Sequence, residues 1–303
     1  MNPAVDLEET IINFDPAHPL TTEEELASFY VDRGSDARIN MKTQFLVNKR
    51  HGKPIKFLFT GHKGSGKSTE VNKLCLELDE QFFIVKVNFR KRPDVTYVDI
   101  LVKAAMALFQ EANTRGALNK APAEKATDLW EDITGFVEKR IFGEVQIRSE
   151  LLADKDMKVK LSVLGVEFEG KFENEAGTRD QIRKSNESRL SEVIDKINLL
   201  AAAIQLYFTK PVLFVFEDTD KIDLAVAKEI FHDRGTTLTE FNAAAIYLFP
   251  IGLRYSTQFS TVKQYFNENF AWLPNINRAQ HIANEGAGKR LTRITRRGRR
   301  ADG

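Results

Sequence analysis

Residues 55–68 read Ile-Lys-Phe-Leu-Phe-Thr-Gly-His-Lys-Gly-Ser-Gly-Lys-Ser, a short apolar run that enters a glycine-rich turn. From Gly61 to Ser68 every fixed position of the pattern G-x-x-x-x-G-K-[ST] is filled. The spacing has a physical basis. Gly61, Gly64 and Gly66 let the backbone curl, so that successive N–H groups point inward at an anion. Lys67 adds a point charge for the outer phosphates of a phosphate chain, and the Ser68 hydroxyl is a Mg²⁺ ligand type. Downstream, Val71, Leu74, Cys75 and Leu78 fall on one face of a helix. That helix would turn its positive N-terminal end on the same anion. The order strand, loop, helix is the context this motif requires. It nominates Gly61, His62, Lys63, Gly64, Ser65, Gly66, Lys67, Ser68 and Thr69 as a nucleotide-phosphate site.

Working outward, four more apolar runs read as strands: 82–89, 212–216, 243–249 and 270–273. Amphipathic patterns place helices at about 35–50, 97–112 and 127–142, with another over Leu224 to Arg234. Thr22-Glu23-Glu24-Glu25 reads as a capping box that opens a helix. Strands alternating with helices predict an α/β fold: a three-layer sandwich around a mainly parallel, five-stranded sheet.

The run Val212 to Phe216 ends in Glu217-Asp218-Thr219-Asp220-Lys221. Acids at the C-terminal end of a buried strand are placed where open α/β sheets bind ligands. A phosphate loop needs such a second site to hold Mg²⁺ and orient water. Aligned by the strand end, Glu217 takes the metal position, with Ser68 and Asp218 beside it. Asp218 then orients the attacking water. In the alternative, Asp218 serves Mg²⁺ through a water and Asp220 takes the second role.

Residues 154–173 alternate in period two on either side of Leu164-Gly165. This predicts a β-hairpin with Val159, Leu161, Val163, Val166 and Phe168 on its apolar face. A long helix is expected over 178–208, its polar first half directed at solvent or a partner. Together these form an insertion at about 150–190. Residues 1–21 read as an N-terminal arm. Residues 276–303 read as a basic, disordered tail containing Lys289, Arg290, Arg293, Arg296, Arg297, Arg299 and Arg300.

The formal net charge of +1 gives no global field for nucleic acid or membrane, although the tail is a candidate nucleic-acid arm. A single cysteine excludes an internal disulfide framework and suits a reducing compartment. Asp6, Glu8 and Glu9 stand where a secretory leader would be basic, and no apolar run is long enough to span a bilayer. A cytoplasmic location without membrane contact is the expectation.

Together, Thr60 to Glu70, Phe216 to Asp223 and Ile246 to Gly252 resemble the bacterial AAA-like and STAND-type P-loop ATPases, a group overlapping in pattern with the origin-recognition and KAP types. The resemblance covers about residues 22–275. It implies the strand order 5-1-4-3-2, ATP and Mg²⁺ as nucleotide and cofactor, and nucleotide-dependent homo-oligomerisation. It also implies effector or sensor partners of the kind found in stress-signalling or phage-defence systems. In that pattern the strand at 244–249 offers a polar sensor to the γ-phosphate. Here it ends in Phe249-Pro250, and Arg254 is the nearest candidate sensor or arginine finger. Such ATPases follow the core with a helical lid; after Leu273 thirty residues remain, so either the lid is missing or the chain is a shortened form of a longer protein. The expectation is therefore an ATPase that hydrolyses slowly and works as a switch. Two alternatives stand beside it: a DNA-associated ATPase, such as a loader or transposition-type regulator, and a non-hydrolysing scaffold with structural nucleotide.

Overall fold

Val212 to Phe216 contains no polar side chain because both of its faces are covered. A computed structural model describes residues 19–32, 36–89, 94–116, 123–141 and 157–275. In it, β1 (Lys56–Gly61), β2 (Phe83–Asn88), β3 (Val212–Glu217), β4 (Ala244–Leu248) and β5 (Phe270–Leu273) form one sheet. Its order is β2-β3-β4-β1-β5, the order that the resemblance implied, and every neighbouring pair is parallel. Strands buried on both faces read as unbroken apolar runs.

Alternation along the strands divides the interior in two. Phe57, Phe59, Leu213, Val215, Ile246 and Leu248 pack toward α2 (Asp36–Arg50) and α3 (Lys67–Leu78). Leu58, Phe214, Phe216, Ala245 and Tyr247 point the other way. They meet α4 (Tyr97–Thr114), α8 (Leu190–Phe208) and their neighbours. Phe216 and Tyr247, paired in register on adjacent strands, stack with ring centroids 4.5 Å apart. Such cross-strand contacts lock the register, since a slip of one residue would exchange the two faces.

The capping box at Thr22 is present and starts α1 (Glu23–Phe29). Thr96 and Asp99 form a second capping box at the start of α4. The helix read over 127–142 begins earlier, as α5 (Ala123–Phe136), and continues as a wider π-helical turn over Val137–Ile141.

Two expectations are corrected. Residues Met157–Asn174 form a helix, α6, and not a hairpin. Leu164, Phe168 and Phe172 recur every four residues and are buried, while Val159 and Val166 are exposed. The apolar face therefore has helical period, and the apparent alternation arises from the exposed valines between its members. Gly165, read as a turn residue, sits where α6 approaches α4; a methyl group there would collide with the Gln110 side chain.

The long helix is also two helices. α7 (Ala176–Glu187) stops at Ser188 and α8 starts after Arg189, whose backbone is not helical. The polar half is divided: Asp180, Lys184, Glu187 and Arg189 are exposed, whereas Arg179, Ile182 and Asn186 are buried. Arg183 forks onto Asp99, with Nε 3.0 Å from Oδ1 and Nη2 2.6 Å from Oδ2. Its Nη2 also donates to the Asp94 carbonyl at 2.6 Å. Arg179 donates to the Phe172 carbonyl at 3.1 Å and to Asp94 Oδ2 at 3.0 Å. Two of these charges, Arg179 and Arg183, tie α7 to the start of α4 instead of facing solvent. The arm at 1–18, the stretch 150–156 and the basic tail at 276–303 lie outside the described residues.

Candidate functional site

The loop leaves β1 at its C-terminal end and returns as α3, so the sheet, the loop and a helix N-terminus converge. Gly64 and Gly66 adopt φ of +76° and +80°, which side chains disfavour. At Gly61 a Cβ would lie 2.8 Å from both the Leu273 carbonyl oxygen and Ser65 Oγ, so close approach demands glycine there. Gly66 is the N-cap of α3 and brings no capping side chain. A helix start that no side chain caps leaves its first N–H groups to water or to an anion.

Lys67 is buried. Its ammonium group donates to the carbonyl oxygens of Gly61 and His62, each at 3.0 Å. It also pairs with Asp220 Oδ2 at 3.0 Å. This pair joins the two motifs that the sequence placed far apart. His62, Lys63 and Gly64 are exposed, Ser65 is buried, and Gly66, Ser68 and Thr69 lie between.

The three acids of the second motif face different partners. Glu217 ends β3 in register with Asn88, which donates to its Oε2 at 3.5 Å. Burial raises the Glu217 carboxyl above its ordinary value, with nearby Lys86 opposing the shift. Asp218 takes a left-handed backbone, φ +65°, and turns its carboxylate onto Lys221. Thr219 is buried and donates to the carbonyls of Leu248, at 2.6 Å, and Phe216, at 3.3 Å. That pins the following turn against β4 and presents Asp220 to Lys67.

Two buried polar atoms here lack a hydrogen-bond partner, Ser65 Oγ and Asp220 Oδ1. Buried polar groups are nearly always satisfied, so one orphan in the loop and one in the strand-end turn that faces it mark a place that a ligand or water completes. The arrangement fits a phosphate chain and a hard cation. Among the described residues no three His, Cys, Asp or Glu side chains cluster as a metal cage. Mg²⁺ bound with nucleotide needs fewer, since phosphate oxygens and waters fill most of its shell. Ser68 and one or two of the acids at 217–220 would supply the protein ligands.

Arg254 ends a short helix, Ile251–Arg254, just past β4. Its guanidinium stands 3.9 Å over the Trp272 ring, and that ring meets His62 edge-on at 5.5 Å. The cation expected to act on phosphate is thus parked on an aromatic beside the loop. The Phe249 ring is buried against Phe231, and its carbonyl accepts from Thr60 Oγ1 at 2.7 Å. That strand end offers the site no polar side chain.

Behind the loop, α3 is wired to the N-terminal helices. Glu70 accepts from the Tyr30 hydroxyl at 3.2 and 3.1 Å and lies 3.4 Å from Arg38 Nε. Burial, with Glu70 alongside, pushes the Tyr30 hydroxyl up to about 12. Asn72 holds the Leu20 carbonyl at 2.8 Å and accepts from Lys86 at 2.6 Å. Burial pushes the Cys75 thiol up to about 12, in keeping with a core role.

The sequence reading missed Trp272 beside His62 and Asn88 beside Glu217. Both face the site through strand register, which only the assembled sheet supplies. Among the described residues no helix is long and apolar enough to cross a membrane. Comparison of the chain with protein-family models, with curated proteins and with solved structures finds no match in any of the three.

Proposed function

We propose that this chain binds ATP with Mg²⁺ at loop 61–68, hydrolyses it slowly, and uses the bound state as a switch within a homo-oligomer. The observation that carries the reading is the loop itself: two left-handed glycines, a helix start without a side-chain cap, and a buried lysine paired with an acid from the strand-end motif. In this reading the loop N–H groups and Lys67 hold the β- and γ-phosphates. Ser68 and a carboxylate hold Mg²⁺, whose bound charge offsets that developing on the phosphates. An acid of the second motif orients water. The apolar end of β4 and the stacked position of Arg254 favour slow turnover, because neither offers a polar group to the transferred phosphate.

ATP is preferred over GTP because the sequence carries no guanine-reading Asn/Thr-Lys-x-Asp motif. The switch would work through α3: phosphate held at its N-terminus pulls on Glu70, and so on Tyr30 and Arg38. Oligomerisation and a role in defence or stress signalling rest on the family resemblance. Titration calorimetry with ATP and Mg²⁺ tests the site. Lys67→Ala is expected to abolish binding, and unchanged affinity would overturn the assignment. Sizing with and without ATP and Mg²⁺ tests the assembly.

A further inference from the structure

We infer that Asp220, rather than Asp218, is the carboxylate that works on the phosphate chain, and that it exchanges Lys67 for the cation when nucleotide arrives. This rests on the phosphate-site reading above. Of the three acids in the second motif, Asp220 is the one paired with the loop, at 3.0 Å from Lys67 Nζ. Its side chain is about nine-tenths buried, and its Oδ1 has no hydrogen-bond partner. A carboxylate oxygen buried in that state is costly unless something completes it. The second orphan, Ser65 Oγ, lies in loop 61–68, two residues before Lys67.

The other two acids are committed elsewhere. Asp218 is turned onto Lys221 by its left-handed backbone. Glu217 lies against Asn88, which donates to its Oε2 at 3.5 Å. Asp220 is also well anchored, because Thr219 fixes the turn to β4 through the Leu248 carbonyl.

The exchange follows from the lysine. Lys67 already touches the Gly61 and His62 carbonyls and Asp220. A phosphate oxygen that takes the ammonium must displace one of these. The ionic partner is the one that charge repulsion expels, since Asp220 and phosphate are both anions. Asp220 then holds two free oxygens beside the phosphate, the setting in which a carboxylate binds Mg²⁺ directly or through a water. Metal-free nucleotide therefore meets Asp220 as a competitor, and nucleotide with metal meets it as a ligand. No residue with a purely structural role would act with both signs.

The test is calorimetry on the full chain with ATP, first in EDTA and then in excess Mg²⁺, for wild type, Asp220→Asn and Lys67→Ala, with a circular-dichroism melt to confirm folding. Asp220→Asn is expected to bind ATP about tenfold tighter in EDTA, the scale of one exposed-to-buried charge contact. It is also expected to lose the wild type's gain in affinity on adding Mg²⁺. Equal weakening in both buffers, or no change in either, would overturn the inference, as would loss of the Mg²⁺ gain in Asp218→Asn but not in Asp220→Asn. Should Lys67→Ala bind ATP as well as wild type, the phosphate-site reading itself fails, and the two failures are told apart. Tripolyphosphate, run in parallel, is expected to follow the same pattern, because the exchange concerns phosphate and not the base.

Discussion

Two largely buried ion pairs in this molecule look alike in distance and differ in everything around them. Arg183 and Asp99, where α7 meets α4, form a two-pronged fork, and the same guanidinium reaches the Asp94 carbonyl. The carboxylate also caps α4 by accepting from Thr96 N at 2.8 Å. Lys67 and Asp220 make a single contact, with one carboxylate oxygen and the neighbouring Ser65 hydroxyl left without partners. A saturated buried pair is a fixed piece of architecture; one left open is a place where partners change. Both pairs are long-range in sequence, so burial alone does not separate them. The number of satisfied oxygens does.

The largest expected effect on stability comes from breaking the closed pair. Asp99→Ala should lower unfolding stability by about 3–5 kcal/mol, as expected when one partner of a buried pair is removed. Urea denaturation measures this, and the folded fraction should keep its affinity for nucleotide. Asp220→Asn in the same experiment should stay within about 1 kcal/mol of wild type, since it removes an anion that was only half satisfied. Equal losses at the two sites would erase the contrast between a closed pair and an open one.

The helix that carries the closed pair's neighbours gives a comparable effect. Phe168→Ala should cost about 3–5 kcal/mol through loss of packing, whereas Val166→Ala, two residues away and 71% exposed, should fall within about 0.5 kcal/mol. A hairpin with both residues on one apolar face would make the two losses similar.

The smallest effect belongs to Glu217. Its folded carboxyl titrates above the ordinary value of 4.5, so the folded state holds its proton more tightly than the unfolded chain does. Its contribution to stability is present below that value and is lost as pH rises through the folded value. Glu217→Gln should therefore flatten the dependence of the urea midpoint on pH above about 4.5 and raise the midpoint slightly at neutral pH. A midpoint that instead falls at neutral pH would mean that Lys86 outweighs burial.

What the sequence discloses is whatever is decided within a few residues. Loop 61–68, the apolar strands and the two-residue capping logic at Thr22 are all local. Strand order came from the family resemblance, because pairing between distant strands leaves no mark on the pattern of any one of them. Residues 157–174 imitate a strand, with Lys, Glu and Val at alternate positions, while the burial of Leu164, Phe168 and Phe172 depends on α4 being there to receive them. Arg179 and Arg183 of α7 are misread as surface charges for the same reason: their partners, Asp94 and Asp99, are about eighty residues distant. The acids at 217–220 were legible as a group. Which of them meets the loop was not, because the left-handed turn at Asp218 decides where each carboxylate points.

The stack of Arg254 on Trp272 beside His62 gives the molecule an optical handle. The chain has two tryptophans, and this one shares a ring contact with the glycine-rich loop. A cation held against an indole shapes its emission, so any withdrawal of Arg254 toward an arriving anion would appear as a change in ultraviolet fluorescence, without label or coupled assay. Substituting Trp130 with Phe would leave Trp272 as the sole source of that signal, and the loop could then be watched in real time.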